Sequence, residues 1–110
     1  ERLPLEREVR AVKELLDSGE SFLLLDCREP QEYEIAKIEQ ARLIPMREIP
    51  NREAEYADYR DKRIVVHCHV GGRSFQVMQW LRENGFPCAQ NMSGGISAWS
   101  HEIDPSVPTY

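Results

Sequence analysis

Apolar positions recur at spacings of three and four across residues 6–17, where Val9, Val12, Leu15 and Leu16 predict one face of an amphipathic helix. Ser18-Gly19 should end it, glycine being common just past a helix C-terminus. The pattern then changes. Residues 22–25 are apolar without interruption and are closed by Asp26, which predicts a short strand buried on both faces. A short helix is expected from Pro30, with Tyr33 and Ile35 facing inward. Residues 41–44 predict a second strand, stopped by Pro45. Across 46–60, Ile49, Tyr56 and Tyr59 stand as anchors among charges, a loose helical segment broken by Pro50.

The β-branched run Ile64-Val65-Val66 is the clearest strand and leads directly into His67-Cys68-His69. Beyond Gly71-Gly72, residues 73–83 predict a helix with Phe75, Val77, Met78 and Leu81 inward and Asn84-Gly85 as its stop. A strand is expected within 86–92, then Ser93 as the N-cap of a short helix over 96–101 that carries Trp99. Residues 104–108 read as an extended, proline-rich tail. Strands alternating with helices imply right-handed βαβ units and a parallel sheet. Chemistry in such sheets gathers at the carboxyl ends of the strands, and Asp26, Cys68 and Met92 each lie near such an end.

Residues 1–110 have the length of one domain. No apolar run reaches the roughly 18 residues of a membrane span, and no signal peptide is visible. A net charge of −5 argues against a nucleic-acid surface. That charge lies in residues 1–60, most simply a solvated acidic face, whereas residues 61–110 are neutral and hold five of the six glycines. Three widely spaced cysteines are not a disulfide framework; they point to a reducing compartment, hence a cytoplasmic location, or to a functional thiol. The sequence opens with Glu1 rather than Met, as expected of a trimmed chain or a piece of a longer protein.

The stretch Cys68-His69-Val70-Gly71-Gly72-Arg73-Ser74 carries the candidate chemistry. A cysteine stands at the tip of a buried strand, two glycines follow, and a helix starts behind them. Glycine lets backbone N–H groups turn inward, where they form a nest for an anion. The helix directs its positive end at the same place. Such surroundings lower a thiol pKa and hold the thiolate. Arg73 would add a fixed positive charge and Ser74 a hydroxyl. Cys27 and Cys88 lack a glycine turn and read as buried apolar residues.

These seven residues resemble the Cys-x-x-Gly-x-Arg-Ser loop of rhodanese domains. The resemblance extends over nearly the whole chain. Leu24-Leu25-Asp26-Cys27-Arg28-Glu29-Pro30 with Glu32-Tyr33 is similar to the family's first signature, and Ala41-Arg42-Leu43-Ile44-Pro45 to its continuation. Asn91-Met92-Ser93-Gly94-Gly95-Ile96 with Ala98-Trp99 is similar to its closing signature. The resemblance implies an α/β fold with a five-stranded parallel sheet and helices on both faces. It implies sulfur transfer through a persulfide on Cys68, with residues 69–74 holding the transferred sulfur and no metal or organic cofactor. The donor would be thiosulfate or a protein persulfide; the acceptor would be cyanide, a thiol or a sulfur-carrier protein. Residues 36–41 depart from the usual Gly-His-Ile-Pro-Gly-Ala. Together with the ending Ile103-Asp104-Pro105-Ser106-Val107-Pro108-Thr109-Tyr110, they resemble the rhodanese domain found C-terminal to sulfur-carrier adenylyltransferases.

Two other functions remain open at this point. Phosphatases and arsenate reductases related to this fold are one, although the phosphatases carry one residue more between cysteine and arginine than the four between Cys68 and Arg73. A non-catalytic interaction module is the other, although such modules typically lose the cysteine that this chain keeps. Zinc on His67, Cys68 and His69 is disfavoured, since the spacing lacks paired ligands. Asp26 and Arg28 point the same way, either lining the site or, more simply, forming a structural ion pair. Gly94-Gly95 reads as a tight turn at the rim, and Trp80 and Trp99 as helix faces packed on the sheet.

Overall fold

The computed structural model describes residues 3–110. Its strands are β1 (Glu6–Arg7), β2 (Leu23–Asp26), β3 (Arg42–Leu43), β4 (Ile64–His67) and β5 (Ala89–Met92). The helices are α1 (Val9–Ser18), α2 (Pro30–Ile35), α3 (Gly72–Glu83) and α4 (Gly95–Glu102), with 3₁₀ segments at Met46–Glu55 and Ala57–Tyr59. The five strands form one parallel sheet in the order β1-β5-β4-β2-β3, so β4 occupies the middle.

Helices cover both faces, which is why β2 and β4 are apolar at nearly every position. On one face Leu23, Leu25, Ile64 and Val66 pack with Ile49, Tyr56, Val77, Met78 and Leu81. On the other, Leu24, Val65 and Met92 pack with Val9, Val12, Leu15, Ile96 and Trp99. The alternation sorts neighbouring residues into separate core clusters. Trp99 is buried and Trp80 half-buried, each against a cluster. No helix among the described residues is long and apolar enough to cross a membrane.

Several expectations need correction. The first helix begins at Val9, because Glu6 and Arg7 form an edge strand on β5. The pairing is a backbone matter, in which Asn91 N–H donates to Leu5 O at 2.8 Å and Ser93 N–H to Arg7 O at 3.0 Å. Ile35 is 52% exposed rather than inward, and Tyr33 is half-buried. The six-residue α2 ends there, Ala36 turns extended, and Ala36 and Ile38 take the buried positions. The last strand starts at Ala89, since Phe86 N–H still bonds to Leu81 O at the end of α3. Ser93 is not the cap of α4; its N–H is taken by Arg7, and Gly94 at φ 79° precedes the helix. The tail is turned rather than extended, with Ser106 Oγ–H donating to Asp104 Oδ1 and Ser100 Oγ–H to Val107 O.

Candidate active site

Cys68 directly follows β4, and the turn after it folds back over its sulfur. Gly71 at φ 116° takes the left-handed conformation this turn requires, and its N–H donates to Cys68 Sγ at 3.2 Å. Gly72 has an ordinary helical backbone and opens α3, so only one of the paired glycines is needed for its φ. From the first turn of α3, Ser74 N–H reaches Sγ at 3.4 Å and Ser74 Oγ stands at 3.3 Å. Three donors and a helix N-terminus thus converge on one sulfur. Burial works to raise the thiol pKa. The Ser74 hydroxyl, then the amides of Ser74, Gly71 and Val70, outweigh it and hold Cys68 below the usual thiol range.

Asn91, on the buried strand β5, supports this cradle, a role that its place in the closing signature did not reveal. Its Oδ1 accepts from Ser74 Oγ at 2.5 Å. Its Nδ2 donates to Gly71 O at 3.2 Å and to Glu6 Oε1 at 3.0 Å. The carboxamide therefore ties both ends of the turn to the sheet. A polar residue inside a fully buried strand is the sequence signal that marks it.

Gly95 holds the same loop from the other side. Ile96 N–H donates to Cys68 O at 2.9 Å and Ser97 N–H to His69 O at 3.0 Å. A Cβ on Gly95 would lie 2.4 Å from His69 O and 2.6 Å from Cys68 O, so glycine is required for this approach. The turn at Gly94-Gly95 thus caps the loop backbone rather than forming a separate anion site.

Arg73 does not offer a free charge to the sulfur. Its guanidinium makes a bidentate pair with Glu32, at 2.7 and 2.9 Å. The hydrogen bonds from Arg73 hold the Glu32 carboxyl down to about 2. Glu32 Oε1 also accepts from Glu29 N–H, and Oε2 from the Tyr110 hydroxyl at 2.9 Å. The Tyr110 ring stacks on His69, with ring centroids 4.1 Å apart. Half-buried His69 is thereby held by the tail, and Val70, 63% exposed, forms the tip of the loop.

Asp26 and Arg28 lie fully buried behind the loop as a bidentate ion pair, at 2.9 and 2.7 Å. Arg28 spends its remaining N–H groups on Ala36 O, Glu32 O and Tyr110 Oη, so all five of its side-chain donors are used. His67 is buried on the Asp26 side of the sheet, its Nε2 3.8 Å from Asp26 Oδ2 without a hydrogen bond. Burial drives its pKa down and keeps it neutral. Among the described residues, no three His, Cys, Asp or Glu side chains gather as a metal-binding group.

The rhodanese-like domain family matches residues 8–102. The adenylyltransferase and sulfurtransferase MOCS3-1 of Zea mays is 37% identical over 106 residues, covering 92% of this chain and 23% of that protein. A sulfurtransferase of Allochromatium vinosum is 33% identical over 102 residues, covering 93% of this chain and 94% of that one. The human single-domain sulfurtransferase TSTD1 superposes with a TM-score of 0.79 at 25% identity, over 91% of this chain and 98% of that chain. The chain spans only 22–30% of the length of several curated relatives it matches. With five parallel strands, helices on both faces and a match over residues 8–102, the chain belongs to the rhodanese-like domain family, whose named relatives include sulfurtransferases.

Proposed function

We propose that the protein transfers sulfane sulfur through a persulfide on Cys68. The observation that carries this reading is the convergence of Gly71 N–H, Ser74 N–H and Ser74 Oγ on Cys68 Sγ. The thiolate attacks the outer sulfur of thiosulfate, the sulfur–sulfur bond of the donor breaks, and sulfite leaves with the electron pair. The donors that held the thiolate then face the terminal sulfur of the persulfide, about 2.05 Å further out. An acceptor nucleophile attacks that terminal sulfur, and Cys68 departs as the thiolate the cradle favours. Arg73, fixed by Glu32, positions the turn without being free to clamp an anion.

Four residues between Cys68 and Arg73 favour a single sulfur atom over a tetrahedral phosphate. The likeness to adenylyltransferase and sulfurtransferase relatives supports a sulfur-carrier protein as acceptor and a persulfide-bearing protein as an alternative donor. Incubation with thiosulfate should add the mass of one sulfur atom, removable by a dithiol reductant. Cys68→Ser should abolish the adduct, and Cys88→Ser should not. Efficient hydrolysis of an aryl phosphate with no sulfur adduct would overturn the proposal.

A further inference from the structure

Cys27 is a second buried thiol, one that the sulfur-transfer step does not use. Strand register sets it beside Cys68. Leu23 pairs with Ile64 and Leu25 with Val66, and all four side chains lie in the core cluster under α3. The next alternate pair in this register is Cys27 with Cys68, and both belong to that same cluster. The ladder extends to them, for Cys27 N–H donates to His67 O at 3.1 Å. Neighbouring strands lie roughly 4.8 Å apart. That falls within the roughly 4.4–6.8 Å between Cα atoms that a disulfide spans. Cys88 is remote from this pair, since its carbonyl accepts from Ile64 N–H at the opposite end of β4.

The two thiols differ in character. Cys68 is held toward the thiolate by its donors. Cys27 is held as the thiol, far above the ordinary range, by burial first and then by the charges of Cys68 and Asp26. Cys27 alone is therefore a poor target for an external oxidant, and Cys68 is a good one.

We propose that Cys27 is the resolving thiol of Cys68: after a hydroperoxide oxidises Cys68, Cys27 captures it as an intramolecular disulfide that suspends sulfur transfer until a dithiol reduces it. The inference rests on the reading of Cys68 as the reactive thiolate. In the first step Cys68 sulfur attacks the peroxide, an S–O bond forms, the O–O bond breaks, and hydroxide or alkoxide leaves. In the second, Cys27 sulfur attacks the Cys68 sulfenic acid, the S–S bond forms, and the S–O bond breaks. The Cys27 proton departs with the hydroxyl as water. The two thiols together supply the two electrons that reduce the peroxide. Sulfenylation also removes the Cys68 negative charge, one of the influences that kept Cys27 protonated. Capture at this stage keeps Cys68 from the irreversible sulfinic state.

The test treats the 110-residue protein with hydrogen peroxide, maps its peptides without reduction, and then restores it with dithiothreitol. The expected product is a linked Cys27–Cys68 peptide, with sulfur transfer lost and then recovered. Cys27→Val and Cys27→Ala, two fillings of the same apolar slot, should transfer sulfur before treatment. After the same exposure their Cys68 should reach the sulfinate, and dithiothreitol should restore about tenfold less activity than in wild type. Oxidised wild type with sulfinate at Cys68 and a free Cys27 thiol would overturn the proposal. So would a Cys68–Cys88 link, or full recovery in both Cys27 variants. The map reads the bond itself, so absence of sulfur transfer in untreated protein would count against the proposed function alone.

Discussion

Removing the Ser74 hydroxyl should raise the Cys68 pKa by about one unit. The hydroxyl has one proton and two claimants: Cys68 Sγ at 3.3 Å and Asn91 Oδ1 at 2.5 Å. The Asn91 orientation is fixed by its Nδ2, which donates to Glu6 and Gly71, so Oδ1 can only accept from Ser74. While Cys68 is a thiol, the proton serves Asn91; once Cys68 ionises, it turns to the sulfur. A hydrogen bond to a charged group contributes about 1.5–3 kcal/mol, from which the released neutral bond to Asn91 subtracts about 1 kcal/mol. The remainder is about 0.5–2 kcal/mol, or about one unit at 1.36 kcal/mol per unit. The assay is the pH dependence of Cys68 alkylation by iodoacetamide, in a Cys88→Ser background that removes the half-buried thiol. Ser74→Ala should move the inflection up. Asn91→Asp should also move it up, since a carboxylate there holds the proton more strongly and adds a negative charge. An inflection in Ser74→Ala that stays in place or moves down would refute the idea that the hydroxyl donates to sulfur.

Two further outcomes test the surroundings of the loop. His67 is buried neutral with a depressed pKa, so below about pH 6.5 the unfolded chain binds a proton that the folded one refuses. Stability measured by urea unfolding should therefore fall as pH drops from about 6.5 toward 5, by at most the roughly 1.4 kcal/mol per pH unit of a single proton, and His67→Phe should flatten that slope; an equal slope in the variant would exclude His67 as the cause. Gly95→Ala should cost about 2 kcal/mol or more, from its φ of 59° and the Cβ clash with the Cys68 and His69 carbonyls. Gly72→Ala, whose Cβ meets open space, should stay within about 0.5 kcal/mol by the same thermal or urea unfolding measurement, and equal costs at both sites would contradict the close approach.

The residues that proved legible in the sequence are those whose role is local. A β-branched run, a cysteine, a glycine and a helix start occupy consecutive positions at 64–74, so the turn that folds over Cys68 is written in one stretch of chain. Residues paired across the fold were not legible. Glu32 meets Arg73 and Tyr110 only after α2, α3 and the tail are assembled, and periodicity carries no record of that meeting. For the same reason Arg73 reads as a free cation in the sequence and stands as half of an ion pair in the structure. Glu6 and Arg7 pair through their backbones on a sheet edge, so their charged side chains gave no strand signal. Ile35 misled because a six-residue helix is too short for its apolar spacing to define a buried face.

The place of β4 at the middle of the sheet has a consequence for synthesis. Cys68 leaves the ribosome well before the residues that hold its loop: Asn91 ties Ser74 and Gly71, and Ile96 and Ser97 bind the carbonyls of Cys68 and His69. The N-terminal edge waits too, since β1 has no partner until β5 exists. At about 5–20 residues per second, the interval between Cys68 and Ser97 lasts a few seconds. During that time the cysteine and the donors of its own turn are present, but the residues that hold that turn in place are not. A nascent chain therefore carries Cys68 on an unsupported loop, which gains its supports only when the last quarter of the sequence closes the sheet.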